Sequence, residues 1–185
     1  MSGVRQRNTS TPAPVLLLPG IGDSGPAHWQ SLWQAAHPGF QRVAQRDWDH
    51  PVCREWAATL EHTLRAMPGP VVLVAHSLGC LLVAHWATSA TQAVKGALLV
   101  AVPDPQGERF PAEALGFSPV PAARLPFASI VVASTHDPYS SIAYAEACAI
   151  AWGSEFVNIG AAGHISTSSG HGEWPVGLAL LQGLR

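Results

Sequence analysis

Charged side chains are scarce in this 185-residue chain, at 12%, and they nearly cancel to a formal net charge of −2. No cluster of Lys and Arg appears, so there is no basic field to draw in nucleic acid. Cysteine is scarcer still. Cys53, Cys80 and Cys148 are odd in number and scattered, with no C-x-x-C pair and no disulfide framework. Cytoplasm is the expected compartment. The longest apolar stretches are strand-sized, too short to span a bilayer, so no membrane partner is expected. The opening MSGVRQRNTSTPAP lacks an apolar segment of signal-peptide length and reads as a flexible tail over residues 1–14. H-E-x-x-H and Cys/His ligand spacings are also missing, so no metal site is expected.

What is present is apolar, at 48% hydrophobic residues, enough for one globular domain over 15–185. Short Leu-rich or β-branched runs predict strands at 15–19, 40–44, 71–75, 97–101, 129–133 and 155–159. Four of them are almost continuously apolar, as strands buried on both faces of a parallel sheet must be. The second and last are more polar and suit sheet edges. Helical patterns lie between the strands at 26–37, 53–67, 79–90, 140–152 and 173–184. In the second, Trp56, Leu60, Thr63, Leu64 and Met67 fall on one face. Strand–helix alternation of this kind implies an α/β fold: a three-layer α/β/α sandwich around a mainly parallel six-stranded sheet, with right-handed crossovers. One stretch breaks the alternation. The Pro-rich segment 102–126 reads as a short cap-like excursion over the rim, with room for one short helix.

Two loops carry chemistry. VVLVAHSLGCLLVAHWA runs strand, sharp turn, helix, and Ala75-His76-Ser77-Leu78-Gly79 at its centre is a nucleophile elbow with alanine in the first glycine position. Small residues are needed two before and two after the serine, where a larger Cβ would strike the neighbouring strand. The following helix aims its N-terminus at the site and favours negative charge there.

A serine needs a base, and the base needs an orienting acid, in the chain order Ser, Asp/Glu, His. Of nine histidines, three follow the elbow and its helix. His164 lies in a Gly/Ser-rich loop just after the last strand and is preferred over the more distant His171; His136 stands next to a candidate acid. That acid is Asp137, just beyond the fifth strand, or Asp104, after the fourth. Asp137 is favoured because its loop neighbours that of His164, although such aspartates often serve only as helix caps or turn formers.

The other loop, PGIGDSG at 19–25, matches the G-x-G-x-x-G of dinucleotide-binding folds, and Asp47 falls near the place of a ribose-binding carboxylate. Asp23 argues against a pyrophosphate there. With strand order 2-1-3-4-5-6, the order reverses between the first and third strands, so PGIGDSG and the elbow line one crevice. The loop then reads as half of an oxyanion hole, with backbone N–H groups of Ile21 and Leu78 as the two donors. Trp29 and Trp174 lie near the rim, with core packing as their default role.

LLLPGIGDSGPAHWQSLW, RDWDHP, VVLVAHSLGCLLVAHWA, HDPYS and GAAGHISTSSGHGEWPVG together resemble the small serine hydrolases of the retinoblastoma-binding-protein-nine or YdeN type, in the α/β-hydrolase superfamily. The resemblance spans nearly the whole chain from residue 15. It implies Ser77 as nucleophile, Asp137 rather than Asp104 as acid, and His164 as base. His136 stands where that family often carries an acidic residue. The expected activity is hydrolysis of small carboxylic esters or related acyl substrates through an acyl-enzyme, with no cofactor. The rival expectation is a binding module of the same fold whose site is idle. A small acyl compound is the expected ligand, and no protein partner is readable.

Overall fold

A computed structural model describes residues 12–185; residues 1–11 of the predicted tail lie outside the described residues. Six parallel strands form one sheet in the order β2-β1-β3-β4-β5-β6. They are β1 (Val15–Leu18), β2 (Phe40–Arg42), β3 (Val71–His76), β4 (Val94–Val100), β5 (Ala128–Ala133) and β6 (Glu155–Asn158). Helices α1 (Trp29–Ala36), α2 (Cys53–Arg65), α3 (Leu78–Ala87) and α4 (Ile142–Trp152) lie in crossovers, α5 (Pro175–Gln182) follows β6, and the β4–β5 crossover carries no helix. The sheet order and the polar edge strands are those expected from the sequence.

Strand side chains alternate between two cores. Leu16, Leu18, Leu73, Ala75 and Leu99 face α2, α3 and α4, where Trp56, Leu81 and Trp152 are buried. Val15, Leu17, Val72, Val74 and Val100 face the other way, onto Trp29, Trp33 and Leu181. Both faces are covered, so period-two alternation is present in space and invisible in the sequence. α2 is amphipathic as its spacing requires, burying Cys53, Trp56, Leu60 and Leu64. Glu55 in its first turn and Arg65 in its last oppose the helix dipole.

The excursion at 102–126 contains no helix. It carries six prolines, which withhold backbone donors and break helical runs, and it crosses the rim as a strap of successive turns. Phe117, 1% exposed, and Leu125, 6% exposed, pin it to the core. Leu115 forms a bridge beside α2: its N–H donates to Pro51 O at 2.9 Å and its carbonyl accepts from Cys53 N–H at 2.9 Å.

Candidate active site

The elbow falls between β3 and α3. Ser77 has φ 53° and ψ −123°, a region costing a non-glycine residue about 1–3 kcal/mol. Its neighbours hold it there. Ser77 N–H donates to Val100 O at 2.9 Å, and Cys80 N–H donates to Ser77 O at 2.9 Å. A methyl group at Gly79 would collide with the Leu18 carbonyl, and one at Gly20 would lie 2.9 Å from Ser77 Cβ. Two glycines, one on each loop, therefore allow the backbones of PGIGDSG and the elbow to touch.

The same edge brings in two more loops. Asp137 follows β5 and His164 follows β6. His164 Nδ1 lies 2.9 Å from each Asp137 oxygen, and His164 Nε2 lies 2.9 Å from Ser77 Oγ. An ionised carboxylate only accepts, so Nδ1 carries the hydrogen, and Nε2 offers its lone pair to the Ser77 hydroxyl. The Asp137 side chain is 3% exposed and that of His164 13%. Asp137 Oδ1 also accepts from Tyr139 N–H at 2.9 Å, so the turn-forming role and the contact with His164 coexist. The cap of α4 is Ser141, not Asp137.

Among the candidates named from sequence, Ser77, Asp137 and His164 come together, whereas Asp104 and His171 stay apart from them. Asp104 turns its carboxylate back to Gln106 N–H. His171 packs near Trp174, with ring centroids 6.4 Å apart. Ile21, Leu78 and Gly20 line a cavity of about 350 Å³ around Ser77 Oγ. Among the described residues, neither Ile21 N–H nor Leu78 N–H donates to another backbone carbonyl. The dinucleotide reading of PGIGDSG fails locally. Gly22 N–H is spent on Trp48 O, and the Asp23 carboxylate is paired with Arg42 at 2.6 Å.

Two positioning groups escape sequence reasoning. His76, buried beside Ser77, has its Nε2 2.9 Å from the carbonyl of His164, so that nitrogen carries the hydrogen and donates it. Trp29 Nε1–H donates to the next carbonyl, Ile165 O, at 2.9 Å. Ile165 itself has φ 47°. The loop bearing His164 is thus held by two buried rings on separate elements. Ser134 Oγ adds a third tie, accepting from His136 N–H at 3.2 Å and Ala162 N–H at 2.9 Å across the acid and base loops. Burial keeps His76 well below the usual histidine range, and the neighbouring His164 and His28 add to this. His28 caps α1, accepting Gln30 N–H on Nδ1. Burial, with Arg42 and His164 nearby, pushes His28 down to about 4 against the opposing Asp23.

A parallel sheet with a strained serine at its carboxyl edge and a histidine–aspartate pair beside it defines a class, the α/β-hydrolase fold. The serine hydrolase family model matches residues 15–183, and the chain belongs to that family as a YdeN-like serine hydrolase. Among solved structures it is similar to a YdeN-like hydrolase from Pectobacterium atrosepticum, with 32% identity over 93% of this chain and 90% of that one, at a TM-score of 0.82. It is similar to the ydeN gene product of B. subtilis at 18% identity, covering 94% and 98% of the two chains, TM-score 0.76. A thermophilic esterase from Thermogutta terrifontis shares the fold at 20% identity, covering 96% and 91%, TM-score 0.65. No curated protein sequence matches the chain.

Proposed function

We propose that this serine hydrolase cleaves small carboxylic esters, or related acyl compounds, through Ser77, His164 and Asp137. The contact that supports this reading above all is the 2.9 Å approach of His164 Nε2 to Ser77 Oγ, with Asp137 on the far nitrogen. As Oγ attacks the acyl carbonyl, His164 takes the hydroxyl proton and Asp137 stabilises the imidazolium. Ile21 and Leu78 N–H groups hold the developing oxyanion. His164 then returns the proton to the leaving alkoxide, which departs as the alcohol and leaves an acyl-Ser77. Water attacks that ester with His164 again as base; His164 passes the proton to Ser77 Oγ as the acyl C–O bond breaks, and the carboxylic acid leaves. A cavity of about 350 Å³ suits a short acyl group. Three free, buried cysteines fit a reducing, cytoplasmic setting.

Ser77→Ala is expected to lower kcat on a short-chain aryl ester by about 10⁴- to 10⁶-fold, and to abolish labelling of the wild-type protein by a fluorophosphonate probe. An unlabelled, folded wild-type chain, or a Ser77→Ala variant with near-native turnover, would defeat the reading.

A further inference from the structure

The strap forms one wall of the Ser77 cavity and brings a single charge to it. Arg109 lines this cavity beside Phe110 and Pro111. It also lines an adjoining cavity of about 520 Å³ that reaches Asp137 and Ser140. Its position is built rather than incidental. Asp104 N–H donates to Tyr139 O at 3.0 Å, tying the start of the strap to the acid loop. Gln106 N–H then donates to Asp104 Oδ1 at 2.9 Å. Gly107 N–H donates to Asp104 O and Phe110 N–H to Gly107 O, each at 3.0 Å. Phe110 packs against the core just after the arginine.

The charges around Ser77 isolate this guanidinium. Asp23 is neutralised by Arg42 at 2.6 Å. His28 and His76 are held neutral by burial. His164 and Asp137 satisfy each other. Glu108 and Asp104 line only the adjoining cavity. Among the described residues Arg109 makes no ion pair, and residues 1–11 contain no Asp or Glu. The rest of the strap wall facing Ser77, Pro103, Phe110 and Pro111, is uncharged. A cavity whose strap wall is apolar apart from one arginine without an ion pair fits a short acyl compound that carries an anion away from its reacting carbonyl.

We propose that Arg109 is a specificity determinant that selects substrates bearing an anionic substituent, a carboxylate or phosphate, held by the guanidinium fork. This rests on the hydrolytic reading given above. The anion belongs either to the acyl part or to the leaving group, and two substrate pairs separate these sources. The first is mono-para-nitrophenyl adipate against para-nitrophenyl hexanoate. The second is para-carboxyphenyl butyrate against para-carbamoylphenyl butyrate.

The wild-type enzyme is expected to favour the anionic member of one pair by about tenfold in kcat/KM, the scale of one charge-assisted hydrogen bond at a partly exposed site. That ratio falls as salt rises from about 0.01 M to about 1 M, where the screening length contracts from about 30 Å to about 3 Å. Arg109→Gln brings the ratio to about one and Arg109→Lys keeps part of it; because only ratios are read, a general loss of activity cancels. Arg54→Gln removes the same charge from a separate groove, lined by Val52 and Leu115, and keeps the wild-type ratio. Turnover without charge preference in either pair, or a preference that survives Arg109→Gln, overturns the assignment of Arg109 alone. Failure to turn over any of the four esters defeats the hydrolytic reading and this inference with it.

Discussion

The loop that carries His164 and the strap that carries Arg109 border the same cavity, yet they are held in different ways. Directional hydrogen bonds from buried groups fix the first: His76 and Trp29 each grip a carbonyl, and Ser134 ties it to the acid loop. The strap is gripped in this way only from residue 117 onward, where His85 Nε2 lies 3.1 Å from Phe117 O and Trp152 Nε1–H donates to Pro121 O at 2.8 Å. Around Arg109 it is held by backbone turns and by the bond from Asp104 N–H to Tyr139 O, with much of its length exposed. Hydrogen bonds from buried side chains define position to a fraction of an ångström, whereas exposed backbone turns open more readily. Ser77 and His164 therefore sit on the more tightly held side of the cavity, and Arg109 sits on the more adaptable side.

The largest test of that contrast is Trp29, fully buried on α1. Trp29→Ala is expected to destabilise by about 3–5 kcal/mol through lost packing. Trp29→Phe isolates the hydrogen bond. It keeps most of the ring volume but leaves Ile165 O unsatisfied, at about 1–3 kcal/mol. Because the base loop then loosens, ester turnover falls by about tenfold or more. Urea midpoints and kcat on a neutral ester read the two effects. Native kcat in a folded Trp29→Phe would show that this bond does not position His164.

A pH titration of stability comes next in size. His28 titrates near 6.5 when unfolded and at about 4 when folded. Between those values the unfolded chain binds the proton and the folded chain does not, so stability is full above about 6.5 and declines as pH falls toward 4. A drop of that size corresponds to about 3 kcal/mol from His28, and His76 acts in the same direction. His28→Asn retains a capping oxygen for Gln30 N–H and removes the His28 share. Its stability should vary less between pH 7 and 4 than that of the wild type. Equal slopes in urea unfolding would show that His28 is not held neutral by the fold.

The same contrast explains what the sequence reveals and what it hides. Parallel strands advertise themselves because both faces are covered, and β1, β3, β4 and β5 each carry a nearly continuous apolar run. The elbow is visible because Ala75 and Gly79 are local steric requirements of one turn. Asp137 against Asp104 is harder. Both follow a buried strand and both accept a hydrogen bond within their own turn, so local pattern leaves them equal; the adjacency of the Asp137 loop to that of His164 favours Asp137, and the family resemblance settles the choice. His76 and Trp29 are harder still. Their partners are carbonyls 88 and 136 residues away, and any residue type presents a carbonyl. β4 begins at Val94 rather than 97, because pairing with Val71 extends it through Val94, the exposed Lys95 and Gly96, and the charged and glycine residues interrupt the apolar run.

The smallest expected effect lies in the strap and bears most directly on the comparison. Leu115 is 58% exposed, and its two bridging hydrogen bonds are both made by backbone atoms. Leu115→Ser leaves those bonds in place and removes little buried area, so stability should change by no more than about 0.5 kcal/mol. Phe117→Ala, two residues on and 1% exposed, should cost about 3–5 kcal/mol. Side by side in urea, the two variants ask whether the strap is held at points or along its length. A loss above about 1 kcal/mol in Leu115→Ser would mean that the exposed stretches also pack cooperatively, and the strap would then be as rigid as the loop opposite.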